Sequence, residues 1–230
     1  MRTLDQAATF VNCVLKLRPK VAVFDCDGTL WGLDSGAEFF YWEIERGIIP
    51  ADVGRWALAR YDEYKAGRVD EATICGEMVT IHKGVSVELI RKAAAEFFAE
   101  HVSRRIFTEM QELTHSLDAL GCELWAVSST NNWVVAEGVR RFGISEEHVI
   151  AACVVCESGI ATDRLIRVPT GPGKASAIRD LVQRRVDVAF GNSVHDAAML
   201  DIARHPFAVN PNPDLEKLAE EKGWTIYHPK

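Results

Sequence analysis

The 230-residue sequence has no apolar run approaching the roughly 20 residues needed to cross a bilayer, so no membrane partner is expected. It has no excess of positive charge either. Twenty-six lysines and arginines face 33 aspartates and glutamates, a formal net charge of −7, which argues against a protein that binds nucleic acid by neutralising its phosphates. A small anionic ligand stays open, because a local site can be positive or metal-loaded inside an acidic protein. The six cysteines are scattered and follow neither a small disulfide framework nor a zinc-site spacing. The one close pair, Cys153 and Cys156 in CVVC, lies in a strand-like run and is expected to be buried and not redox-active. Reduced thiols and a cytoplasmic setting follow as the default. The N-terminal stretch MRTLDQAATFVNCVLKLRPK has an apolar stripe broken by Asp5, Asn12 and Lys16, with no small-residue cleavage site after it. It is expected to form an amphipathic helix packed on the domain and not a signal peptide. There is no internal repeat and no low-complexity segment.

What is present is ordinary globular composition, 48% hydrophobic and 26% charged, over a length that allows a core domain plus a smaller insertion. KVAVFD (20–25), CELWAVS (122–128), HVIAACVV (148–155), VDVAFG (186–191) and PFAVN (206–210) have the continuous apolar character of buried strands. Helical patterns such as WVVAEGVRRFG, GKASAIRDLVQRR and HDAAMLDIARH separate the later ones. Strands alternating with helices predict an α/β fold with a doubly wound, Rossmann-like parallel sheet. ESGIATDR, after the third strand, has the composition of a hairpin or loop. Between Trp31 and Ser103 the period changes. SGAEFFYWEIERG, ADVGRWALARYDEYKAG, DEATICGEMVTIHKG and SVELIRKAAAEFFAEHV each place apolar residues at helical spacing and are punctuated by Gly or Pro. The expected division is a core of residues 1–30 and 104–230 with an all-helical cap, 31–103, over the carboxyl end of the sheet, where open α/β sheets bind ligands.

Chemistry-bearing residues gather at the expected strand and helix ends. The first strand ends in Asp25-Cys26-Asp27-Gly28-Thr29 and the second in Ser128-Ser129-Thr130-Asn131. Gly171-Pro172-Gly173-Lys174 enters a helix, and the fourth strand ends in Gly191-Asn192-Ser193-Val194-His195-Asp196. A parallel sheet brings these ends to one edge. Carboxylates and an amide oxygen form a hard shell that suits Mg²⁺ and suits zinc poorly. A serine hydroxyl, a lysine ammonium and the backbone N–H groups of a glycine turn suit a phosphate. One aspartate can attack phosphorus, and a second can move the proton of the leaving alcohol.

DCDGT after a hydrophobic strand, WAVSS, GPGKASAI and the Gly-Asn-Ser-x-x-Asp segment, in that order from about Val21 to Pro211, resemble the four motifs of the haloacid dehalogenase superfamily. With a helical insertion between the first two, the resemblance is to the phosphoserine-phosphatase-like branch with its C1-type cap. The resemblance implies that Asp25 is nucleophile and metal ligand. It makes Asp27 the general acid/base, with its backbone carbonyl on the metal. Gly28, Thr29, Ser128, Ser129 and Lys174 are implied to hold the phosphoryl group. Asn192 is implied as a direct Mg²⁺ ligand and Asp196 as its outer-shell partner. Asp27 favours phosphate ester hydrolysis over dehalogenation, which has no leaving alcohol to protonate. The implied activity is that of a Mg²⁺-dependent phosphatase acting on a small phosphorylated metabolite through a phospho-Asp25 intermediate. The alternatives are transfer to a second small acceptor, or a weakly active or non-catalytic phosphate-binding protein. Two departures stand out. Asn192 occupies a place usually held by Asp, so weaker metal affinity is expected. Phosphoserine phosphatases also use an acid after the first motif and a cap arginine. Asp34 or Glu38 stands for the acid, but ATICGEMVTIHKG holds Gly76 and Met78 and no arginine, which counts against phosphoserine. Trp31 is expected either in the bundle core or on the substrate pocket, and His195 at a helix start or rim.

Overall fold

The computed structural model describes residues 2–4 and 7–229. Its centre is strand β2 (Val21–Phe24), in which all four residues are buried. Side chains alternate across it. Ala22 and Phe24 join one hydrophobic cluster, with Phe10, Val14, Leu113, Leu117 and Trp133. Val21 and Val23 join the other, with Trp125, Val127, Ile178, Met199 and Leu215. A strand covered on both faces needs an apolar residue at every position, which is why this segment reads as a continuous run.

Around it lie β1 (Arg2–Leu4), β3 (Glu123–Asn131), β4 (Val149–Glu157), β5 (Ile160–Arg167), β6 (Val188–Gly191), β7 (His205–Val209) and β8 (Thr225–Tyr227). The sheet has eight strands in the order β1-β8-β7-β6-β2-β3-β4-β5. Every pairing is parallel except β4 with β5. One face carries α1 (Ala7–Lys16), α6 (Thr108–Ala119) and α7 (Asn132–Val139). The other carries α8 (Pro172–Leu181), α9 (Ala197–Asp201) and α10 (Pro213–Lys222). From β2 the chain winds outward through β3 and β4, and later returns to β6 on the other side. The carboxyl ends of β2, β3 and β6 therefore flank the topological switch point, where a crevice opens.

Four helices are inserted between β2 and β3: α2 (Ser35–Glu45), α3 (Ala51–Lys65), α4 (Glu71–Thr80) and α5 (Val87–Phe97). Asp34 caps α2 by accepting from Ala37 N at 2.9 Å, and Asp70 caps α4 through Thr73 N at 2.9 Å. The insertion is not a detached lobe. Trp31, Phe39, Trp42, Phe97 and Phe98 share the main cluster with Phe24 and Trp133. The β4–β5 hairpin also ties to it through backbone bonds from Gly84 N to Ala161 O (2.9 Å), Ala161 N to Val85 O (3.0 Å) and Val87 N to Gly159 O (2.8 Å).

ESGIATDR is a hairpin, one of the two forms its composition suits, and it adds antiparallel β5 to the sheet. Two sequence expectations need correction. The N-terminal helix begins only at Ala7, because Arg2–Leu4 pairs with β8 as an edge strand, and Asp5 lies outside the described residues. Of the CVVC pair only Cys153 is buried; Cys156 is exposed, because residues three apart on a strand face opposite ways. All six cysteines are free thiols, and no described helix is long and apolar enough to cross a membrane.

Candidate active site

The crevice at the switch point holds a cavity of about 470 Å³, lined at its floor by Asp25, Asp27, Gly28, Ser128, Ser129, Lys174 and Asn192, a volume suited to a small ligand. Asp25, 5% exposed, leaves β2 with its backbone N–H still donating to Phe190 O at 2.9 Å. Its Oδ1 accepts from Lys174 Nζ at 2.7 Å and its Oδ2 from Thr29 Oγ1 at 2.9 Å. Lys174, in the first turn of α8, also donates to Asp196 Oδ1 at 2.5 Å. The first turn of a helix is an unfavourable place for a cation, and two buried carboxylates compensate. Burial works against the ammonium charge, yet Asp196 and Asp25 hold the Lys174 pKa above the ordinary lysine value. Burial, together with the Asp196 charge, pushes Asp25 up to about 7 against the opposing pull of Lys174. A carboxyl in such a place is short of positive charge.

Asp27 is held differently. Its Oδ1 accepts from Trp31 Nε1 (2.6 Å), Ser35 N (2.9 Å) and Ser35 Oγ (2.6 Å), and its Oδ2 from Thr130 Oγ1 (2.7 Å). Ser35 escaped the sequence reading, and Thr130 was named there in the polar strand end without a role. The nearest signals were the Ser at the start of α2 and the polar run that ends β3. The pairing of β3 with β4 skips from Ser128 to Asn131; such an irregularity re-aims side chains at a site.

Trp31 is corrected here. Its ring is fully buried, packed edge-on to Phe98, and it does not line the cavity. Its indole orients Asp27 instead. Glu38 is likewise corrected: it is exposed on α2 and outside the cavity lining. Asp34 does line the cavity, while also capping α2. His195 sits on the rim, paired with Glu71. Nothing in the sequence marked Glu43, a cavity-lining residue only 1% exposed. Its Oε2 lies 2.8 Å from Nε2 of the fully buried His82. Burial opposes a charged ring, but the Glu43 carboxylate keeps the His82 pKa above its ordinary value.

The donors around Asp25 fit a hard divalent cation. The Asp27 carbonyl, two residues along the loop from Asp25, accepts no hydrogen bond from the described residues. Gly28 has φ +73°, and a Cβ there would overlap the Asn192 side-chain amide, so the glycine lets that amide close on the first loop. Asp196 presents no free oxygen. Its Oδ2 accepts from Asn192 N (2.9 Å) and Ser193 N (3.0 Å), and its Oδ1 from Lys174, so it fixes the loop carrying Asn192. No cluster of three or more His, Cys, Asp or Glu suited to a metal occurs among the described residues. The Asp25 carboxylate, the Asp27 carbonyl and the Asn192 amide oxygen are the groups that could hold a cation here, an all-oxygen set of the kind Mg²⁺ prefers.

Residues 22–201 match the haloacid dehalogenase-like hydrolase family. The chain belongs to that family. A histidinol-phosphatase of Neisseria meningitidis serogroup C is 27% identical over 218 residues, which cover 90% of this chain and 97% of the relative. A protein of unknown function from Bordetella pertussis Tohama I has a solved structure similar to this one, with TM-score 0.78 at 24% identity, covering 91% of this chain and 98% of that one. A phosphoserine phosphatase solved as its phospho-aspartyl intermediate analogue shares the fold with TM-score 0.61 at 18% identity, over 92% of this chain and 94% of that one. The chain is a hydrolase of that family, and its fold is the one the phosphoserine phosphatase shows.

Proposed function

We propose that this hydrolase is a Mg²⁺-dependent phosphomonoesterase that works through a phospho-Asp25 intermediate on a small phosphorylated metabolite. The observation that carries the reading is Asp25 itself: a buried carboxylate at a strand end, bonded to Lys174 from 149 residues away and open to the cavity floor. An oxygen of Asp25 attacks phosphorus, the bond from phosphorus to the ester oxygen breaks, and Asp27 gives that oxygen its proton. Asp27 then takes a proton from the water that cleaves the acyl phosphate. Thr130 suits both stages, because its hydroxyl can donate to the carboxylate or accept from the acid. Lys174 and Ser128 hold the phosphoryl oxygens, the Gly28 N–H being spent on Trp31 O at 2.8 Å, and Asp196 holds the Lys174 ammonium and the Asn192 loop. Asp25, the Asp27 carbonyl and Asn192 would hold Mg²⁺, which supplies charge neutralisation for the approach of a dianion to a carboxylate.

The cavity lining has no arginine among the described residues, which disfavours phosphoserine. Histidinol phosphate, after the Neisseria relative's name, is the first natural ester to assay. The deciding experiment is hydrolysis of p-nitrophenyl phosphate with and without Mg²⁺, on the native protein and on Asp25→Asn. The expected result is magnesium-dependent turnover that the variant loses by at least about a thousandfold, with a folded protein by far-UV circular dichroism. Turnover retained by Asp25→Asn would remove the nucleophile from the scheme.

A further inference from the structure

The far end of the cavity is built by the inserted helices, and its chemistry differs from that of the floor. Asp34 and Glu43 come from the start and the body of α2, Tyr61 and Tyr64 from α3, and Glu71 from the start of α4. Around the cavity, five carboxylates (Asp25, Asp27, Asp34, Glu43 and Glu71) face one lysine, one histidine and no arginine among the described residues, with His195 on Glu71 and His82 behind Glu43. That lysine is already held by Asp25 and Asp196. A divalent cation and a phosphate dianion cancel one another, so loading the floor leaves the acidic excess in place. A ligand with a second anionic group would meet it unpaired.

Glu43 turns this excess into a binding point. The residue is 1% exposed, and His82, itself fixed by Val79 O at 3.1 Å, holds Oε2. The other oxygen, Oε1, accepts no hydrogen bond from the described residues, and Glu43 lines the cavity. A nearly buried acceptor without a donor costs free energy that a ligand N–H can recover. Asp34 uses Oδ1 to cap α2, and its Oδ2 accepts no hydrogen bond from a side chain of the described residues. The rings of Tyr61 and Tyr64 add wall surface of the kind that attracts cations. Glu71 is engaged by His195 and is less free.

We propose that this end of the cavity selects phosphomonoesters of amino alcohols, esters that carry a cationic nitrogen and no carboxylate, with Glu43 Oε1 and Asp34 Oδ2 accepting from the nitrogen. The inference rests on the phosphatase reading and sharpens it to a substrate class.

The test compares kcat/KM for phosphoethanolamine, glycerol phosphate and phosphoserine at saturating Mg²⁺. Phosphoethanolamine is expected to exceed the neutral and the carboxylate-bearing esters at least tenfold. In Asp34→Asn, which keeps a good helix cap, and in Glu43→Gln, that ratio is expected to fall at least fivefold, mainly through KM. A ratio near one in the native protein, or a preference that survives both variants, overturns the proposal. Aryl phosphate hydrolysis without a preference for the amine sinks this inference alone. Absence of any phosphate hydrolysis sinks the phosphatase reading instead. Calorimetric titration of the same three esters into the Asp25→Asn protein then decides the question by binding, with the same order expected and an equal or reversed order fatal.

Discussion

Lys174→Met would remove the one buried ammonium of the site while keeping much of its apolar stem volume. Nζ lies 2.7 Å from Asp25 Oδ1 and 2.5 Å from Asp196 Oδ1, and all three residues are at most 5% exposed. At an effective dielectric of about 20, each contact is worth roughly 6 kcal/mol of attraction. The variant is also spared the desolvation of the ammonium, which takes back much of that sum, and breaking such a pair costs about 3–5 kcal/mol net. The loss should depend on pH. Asp25 has a folded pKa near 7 against an ordinary 3.8, so it binds its proton more tightly in the folded state. Its contribution favours folding at low pH and is lost as pH rises through the folded value. Without Lys174 the folded pKa of Asp25 climbs further, so the penalty is largest above neutrality and shrinks where Asp25 is protonated. Urea unfolding of the metal-free proteins at about pH 5 and about pH 7.5, followed by far-UV circular dichroism, reads both effects. The expected loss is about 3–5 kcal/mol at the higher pH and at most about half that at the lower. A loss under about 1 kcal/mol, or one that grows as pH falls, would refute the account of Lys174 as counter-ion to two buried carboxylates.

Three further perturbations have defined outcomes. Gly28→Ala must hold φ +73° and displace the Asn192 amide. It is expected to cost about 1–2 kcal/mol of stability and to raise the Mg²⁺ concentration for half-maximal hydrolysis; an unchanged magnesium titration would separate Asn192 from the metal. Asn192→Asp adds a negative ligand and is expected to lower that concentration by roughly tenfold, with a less stable metal-free protein; no change in requirement would count against Asn192 as ligand. Thr130→Val removes the 2.7 Å hydrogen bond to Asp27. It should lower kcat by about a hundredfold with little change in KM, while Thr130→Ser keeps most of the rate; equal losses in the two variants would assign Thr130 a packing role only.

The four segments of the floor were legible because each reactive residue stands where an apolar run stops or a helix starts, and a parallel sheet has only one edge on which to gather them. The inserted helices were legible for a similar reason, since a period near 3.6 survives in each of the four stretches. What was not legible depends on contacts with no period. Asp27 meets Ser35 eight residues on and Thr130 103 residues on, and neither spacing is a pattern. Trp31, an aromatic beside a nucleophile, fits a pocket wall or a core equally well. Its burial is decided by Gly138 of α7, where a Cβ would come within 2.8 Å of the indole and 2.6 Å of Phe98. Glu43 reads as the polar face of WEIE until His82 from the α4 end is brought against it. Strands β1 and β8 have three residues each, too few for a period of two to show.

The division of labour among the inserted helices follows from where their apolar residues go. α2 and α5 are sewn into the main cluster through Phe39, Trp42, Ile90, Ala93 and Phe97. The carbonyl-bearing loop of Asp27, Trp31 and Ser35 therefore belongs to the same rigid body as β2. α3 and α4 contribute little to that cluster. Phe40, Ile49, Ala57 and Ile81, with Tyr61 and Met78 packed against them, form a small separate one, and only Gly54 and Ala57 of α3 are buried. Yet these two helices supply Tyr61, Tyr64, Glu71 and Met78 to the cavity wall. The groups that would make and break the phosphorus bonds thus sit on elements whose packing tolerates little change. Of the groups that would choose the alcohol, Glu43 and Asp34 stay with α2 in that frame, while Tyr61, Tyr64 and Glu71 sit on elements that can be altered at small cost to it. A chain built this way can reshape the alcohol end by substitution on α3 and α4 while Asp25, Lys174, Asn192 and the Glu43 carboxylate keep their places.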